Sequence, residues 1–225
     1  MPADILKPFF VVVTAWFLAV MRKTHGSDIF FNKEAYKLKN ISWIPYLILF
    51  SVCVLFILLH PDFGTALLYV GVFCVMVFVA GFPLKWLPWI IGSLAGLGTL
   101  AITLLPQMAH VRERIGHIFY VTPRSQAWYS LNAIKHGGLF GSGDEAYVKD
   151  VLPESINDFV YSAFVEDWGA LGGIALVILL FMILSKLIKY ATYARDDFAI
   201  YAISGAAALF GIQVCFNLMT ALHLV

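Results

Sequence analysis

The acids of this chain are concentrated. Of its 14 Asp and Glu residues, seven fall between positions 144 and 167: Asp144, Glu145, Asp150, Glu154, Asp158, Glu166 and Asp167. Asp158 stands directly before "FVYSAF", where a long apolar run begins. A carboxylate at that place can cap a helix and complement its dipole, or accept a proton as a general base. Glu166 and Asp167 lie about two turns farther in, where a charge near mid-membrane costs at least roughly 2.5–3.5 kcal/mol. They need a polar interior, a partner cation or nearby water. The preceding segment carries Arg112, Arg114, Arg124, Lys135 and Lys149. Guanidinium and ammonium groups bind phosphate oxygens well, although a solvated loop of mixed charge accounts for them equally. Lys7 begins another apolar run, where its charge opposes the helix dipole and calls for water, phosphate or an acid. Asp62, in "HPDFGTALL", is explained by capping the span that follows it.

The elements that must position these groups are membrane helices. The chain is 61% hydrophobic, 13% charged and 16% aromatic, with mean hydropathy +0.84. A soluble domain carries roughly 25% charged residues, so this composition belongs to an integral membrane protein. A net charge of +1 argues against a nucleic-acid partner. Cys53, Cys74 and Cys215 sit far apart in apolar runs and read as small buried hydrophobes. Residues 1–21 lack the cleavage site of a signal peptide. Six spans are predicted: Leu6–Met21, Ile41–Leu59, Phe63–Gly81, Pro88–Leu105, Phe159–Leu184 and Phe198–Val225. The fold class is therefore all-α, a polytopic membrane domain over 1–225 with one large loop over 106–158. Basic residues in 22–40, at Lys85 and in 185–197 place those connections in the cytoplasm and the large loop outside. Both chain ends then fall outside, before a span that carries Lys7 and after a bare "LHLV". That is the pattern of a partial protein or a shortened reading frame. Small residues four apart, Gly92 and Gly96, Gly169 and Gly173, Ser204 and Ala208, predict close helix packing.

Within the loop, "SQAWYSLNAIKHGG" spaces Ala127, Trp128, Leu131 and Ile134 as a helix would, with Gly137 and Gly138 to end it. Trp128 and Tyr129 suit a membrane interface. "GGLFGSG" lacks the Lys and Ser/Thr of a phosphate loop. It reads as a flexible turn or as a place where backbone approaches a ligand.

These stretches together resemble the SEDS family, the bacterial cell-wall polymerases typified by FtsW and RodA. "PADILKPFF" resembles the family's Pro-Ser-Glu-Phe-x-Lys-Pro, and "HPDFGT" its Gln-Pro-Asp-Leu-Gly-Thr with His60 for Gln. "RERI", "QAWYSLNAIKHGGLFGSG" and "VKDVLPESINDFVYSAFVEDWGALGG" resemble its outer loop and eighth span. The last match is the most specific, through Lys149, Leu152, Pro153, Glu154, Asp158, Phe159, Glu166 and Gly169. Ile156-Asn157-Asp158 stands for the usual His-Thr-Asp, and Glu166-Asp167 for Glu-Glu. The six spans correspond to the fourth through ninth of a ten-span fold, so the chain looks truncated at both ends.

The resemblance implies a peptidoglycan glycosyltransferase of the bacterial inner membrane, working on its outer face. It would polymerise lipid II, a disaccharide-pentapeptide on undecaprenyl diphosphate, in division more than elongation. Asp158 would be the general base. Lys7, Arg112, Arg114, Lys149, Glu154 and Glu166 would bind substrate. A divalent cation is the one cofactor the chemistry admits, although the sequence shows no ligand cage. The implied partners are a class B penicillin-binding transpeptidase and other division or elongation proteins. Two other readings are a lipid II transporter and an inactive fragment that only binds such partners.

Overall fold

A computed structural model of the chain describes residues 2–25, 63–81, 92, 125–152 and 158–224. Six α-helices carry the described fold: α1 (Pro2–His25), α2 (Phe63–Val79), α3 (Gln126–Gly137), α4 (Val148–Val151), α5 (Val160–Tyr193) and α6 (Asp197–Ala221), with a 3-10 turn at Gly143–Glu145. There is no strand among the described residues. α1, α5 and α6 each contain a stretch long and apolar enough to cross a membrane, and α2 is a shorter apolar helix. The predicted spans Ile41–Leu59 and Pro88–Leu105 lie outside the described residues.

The chain groups into two compact units, Met1–Leu84 with Met182–Gln213, and Lys85–Phe181 with Val214–Val225. In the first, α1 buries Phe10, Val11, Ala15 and Leu18 along one stripe and leaves Phe9, Val12 and Trp16 exposed on the other. That stripe packs with Leu68, Tyr69, Val72, Met76 and Ala80 of α2 and its end, and with Tyr201 of α6. Phe10 and Tyr69 meet edge to face at 4.9 Å. Lipid gives no hydrophobic drive between helices, so close approach at small residues has to hold them. Gly205 serves this purpose: a Cβ there would stand 2.7 Å from both Met76 Sδ and Val11 Cγ1. Near the end of α1, Arg22 reaches the start of α6. Its Nε lies 3.2 Å from Asp197 Oδ1, and its guanidinium donates to the Tyr201 hydroxyl at 3.0 Å. A cation at one helix's C-terminus and an acid at another's N-terminus both complement the helix dipoles.

In the second unit, α3 ends at the Gly-Gly that its sequence predicts. Ser125 caps it by accepting from the Trp128 amide at 3.2 Å, and Gly138 closes it at φ 52°. Ala133 of α3 packs with Val148, Leu152, Phe159 and Ala163 in a small apolar core. The Ser130 hydroxyl donates to the Ala221 carbonyl at 2.7 Å, which ties α3 to the end of α6.

Candidate functional site

The site is built where a kinked span meets the loop that precedes it. Inside α5, Gly169 adopts φ 75° and ψ 174°, a region open in practice only to glycine. The helical hydrogen-bond ladder is broken there, and the exposed backbone groups need other partners. The "GGLFGS" turn supplies them. Gly138 and Leu139 carbonyls accept from the amides of Ala170 at 2.8 Å and Leu171 at 3.3 Å. In return, the Ser142 amide and hydroxyl donate to the Glu166 carbonyl at 2.8 and 2.9 Å. Such contact demands glycine on both sides. A Cβ on Gly141 would strike the Asp167 carbonyl, one on Gly169 the Leu139 carbonyl, and one on Gly137 the Val165 carbonyl. The sequence left "GGLFGSG" as either a turn or a close approach. It is a turn, and what its backbone approaches is the protein's own α5.

Glu166 sits at the centre of this joint with none of its side chain exposed. Its Oε2 accepts from the Val148 amide at 2.9 Å and its Oε1 from the Tyr147 amide at 3.3 Å. The carboxylate thus caps α4 from a different helix. The His136 ring, on the last turn of α3, brings Nδ1 to 3.0 Å from Oε1. Two amide donors already make both oxygens acceptors, so the ring presents Nδ1–H. This answers how a carboxylate is tolerated inside an apolar helix: hydrogen bonds replace the water it loses. His136 is 37% exposed, and its ring leans on Tyr147 at 5.3 Å. Burial pushes the Tyr147 phenol above its ordinary value, with the Glu166 carboxylate and Tyr129 adding to the effect. Tyr147 is therefore a neutral neighbour.

Asp158 lies in the turn before α5 and is exposed. The next residue, Phe159, is buried in the core with Val148 and Leu152, and its carbonyl accepts from the Ser162 hydroxyl at 2.7 Å and the Ala163 amide at 3.1 Å. The acid is thus held on a fixed anchor with its side chain facing outward. Lys7 is 8% exposed on the packing stripe of α1. Lys149 lies in α4 by its backbone, while its side chain, together with Arg112, Arg114 and Glu154, lies outside the described residues. Reasoning from sequence missed His136, Ser142 and Tyr147. The only hint was a histidine directly before Gly-Gly. Among the described residues, no three His, Cys, Asp or Glu side chains gather to hold a metal ion, and no step proposed below runs through one.

Comparison with known proteins agrees with this architecture. The chain is 27% identical to the "Probable peptidoglycan glycosyltransferase FtsW" of Caulobacter vibrioides over 230 residues, covering 100% of this chain and 54% of the relative. It is 29% identical to the protein of the same name in Saccharophagus degradans, covering 76% of this chain and 46% of that one. It spans about half the length of these curated relatives. A chain in a solved structure of a peptidoglycan synthase complex superposes with TM-score 0.64 at 25% identity, covering 99% of this chain and 59% of its own. The family model for FtsW, RodA and SpoVE, described as "Cell cycle protein", matches residues 1–225. From end to end, then, the chain belongs to the FtsW/RodA/SpoVE family of cell cycle proteins.

Proposed function

We propose that the protein is a peptidoglycan glycosyltransferase that polymerises lipid II, with Asp158 as its general base. Its relatives carry that activity in their names. The observation that carries the assignment is the exposed Asp158 carboxylate, fixed on the buried Phe159 at the head of α5. In the reaction, an acceptor sugar hydroxyl attacks the anomeric carbon of a donor lipid II from the face opposite the diphosphate. The new O–C bond forms as the C–O(phosphate) bond breaks. The hydroxyl proton passes to Asp158, and undecaprenyl diphosphate leaves with the bonding electrons. The configuration inverts. Arg112, Arg114 and Lys149 are the loop cations assigned to the diphosphate, and Glu154 is a further substrate-binding candidate. Glu166, expected from sequence to bind substrate, has both oxygens engaged by the protein. That geometry supports a role in shaping the loop. The site belongs on the outer face of the inner membrane. A class B penicillin-binding transpeptidase would crosslink the product, in keeping with a structural relative from a complex that coordinates polymerization and crosslinking.

The test is polymer length from purified lipid II. Asp158→Asn keeps an oxygen for capping and removes the base. Loss of a base costs about 10²–10⁴-fold in rate, whereas loss of a cap costs only about 0.5–2 kcal/mol of stability. The variant should fold, bind its transpeptidase and make almost no glycan. Asp150→Asn, also exposed, should retain most activity. Normal strands from Asp158→Asn would reduce that residue to a helix cap. Head-group exposure across sealed vesicles without polymer would point to transport instead.

A further inference from the structure

We propose that His136 and Glu166 act together as a latch that positions the catalytic turn. This rests on the reading of Asp158 as the base. The path between them is continuous. Glu166 holds the Tyr147 and Val148 amides at the start of α4. Val148 and Leu152, at either end of that short helix, are buried against Phe159 and Ala163. Asp158 is bonded to Phe159. A helix of four residues has too few internal hydrogen bonds to persist alone, so α4 depends on what grips it. Glu166 grips its first amides, and the apolar core grips its other side.

His136 completes the latch from α3. Its Nδ1–H holds Oε1 at 3.0 Å, fixing the rotamer in which the carboxylate faces α4. Titratable and charged groups near the pair are Tyr147 on the same loop, Lys135 beside His136 in α3 and Asp167 beside Glu166 in α5. Both residues are positioning residues, acting on the base through α4 and Phe159 without touching substrate.

Two properties of His136 can be separated by substitution. Asparagine places an N–H near where Nδ1 stands and removes the ring. Phenylalanine keeps the ring against Tyr147 and removes the donor. The experiment measures kcat and KM for lipid II polymerisation, together with amide hydrogen exchange over residues 142–152, in His136→Ala, His136→Asn, His136→Phe and Glu166→Ala. Displacing a catalytic group by about 1 Å can cost about 10²-fold. His136→Ala should lower kcat by about 10-fold to 10²-fold, change KM much less and speed exchange over the loop. His136→Asn should recover most of both losses, and His136→Phe neither. Glu166→Ala should speed exchange in the same peptide.

Recovery by phenylalanine and not by asparagine would overturn the latch in favour of ring packing. So would an active protein whose loop exchange ignores Glu166→Ala. An unaltered protein that makes no polymer, while its exchange still responds to Glu166→Ala, would overturn the reaction reading, and with it the inference that the clamp serves a base. The exchange measurement needs no activity, so the two failures are distinguishable.

Discussion

Lys7 and Glu166 are the buried charges among the described residues, and they were legible to different degrees. Both stood out in the sequence because each interrupts an apolar run. Burial of Glu166 could be anticipated, since an acid two turns inside a span needs a partner. Its partner could not be: His136 is 30 positions away in sequence, and only its place directly before Gly-Gly sets it apart from the other five histidines. Hydropathy reports where a charge is costly and says nothing of which side chain satisfies it. For Lys7, we expect Lys7→Ala to reduce polymerisation more than Lys33→Ala. Lys7 lies on the packed stripe of α1, so its ammonium serves an interior need. Equal and negligible effects in the lipid II assay would mean that Lys7 only extends toward the membrane surface.

Among the elements, α3 was readable from its period and from the Gly-Gly that ends it, because both are local, whereas its Ser125 cap came from the structure. α5 was readable in position but not in length. The apolar run predicts its end at Leu184, yet the helix continues to Tyr193. Hydropathy marks where lipid gives way to water, whereas helical hydrogen bonding continues through good helix formers such as Lys186, Leu187 and Lys189. Lys189 also places its ammonium 5.9 Å from the Tyr193 ring. The kink was not legible. Gly169 and Gly173 read as a helix-packing pair, but Gly169 receives the Leu139–Gly141 backbone, and Gly173 faces Val165 and Tyr161 of its own helix. Spacing alone cannot show whether a small residue makes room for a helix or for a loop. Gly169→Ala should therefore be severe. Its φ alone costs about 1–3 kcal/mol, and the added methyl meets backbone that cannot rotate away. A drop in melting temperature and loss of polymerisation are expected. Gly211→Ala is the control: its added methyl would stand 3.3 Å from Leu184 Cδ1, the far end of a flexible side chain, so it should be milder. Equal stability of Gly169→Ala and the unaltered protein would show that the kink is not required.

For the whole molecule, the basic connections predict an orientation that labelling can check. In a cysteine-free background, cysteines at Lys33 and Tyr193 should react with an impermeant maleimide only from the cytoplasmic side, and cysteines at Ser125 and Glu145 only from outside. Reaction of the Lys33 position from outside would overturn the orientation. Packing of the first unit can be tested separately. Gly205→Leu should separate α6 from Val11 and Met76 and lower thermal stability, while a matched change at exposed Ala206 should not.

The loop-to-span hydrogen bonds also bear on how the protein is made. The turn that satisfies Ala170 and Leu171 precedes α5 in the chain, so it leaves the ribosome first. When α5 enters the bilayer, its broken stretch arrives with amides that lipid cannot satisfy, and the segment that can satisfy them has already been made. Order of synthesis and order of need coincide. A circular permutant that delivered 137–143 after α5 would present the same residues and the same final contacts. The turns of α5 around Gly169 would have to wait with those amides unpaired.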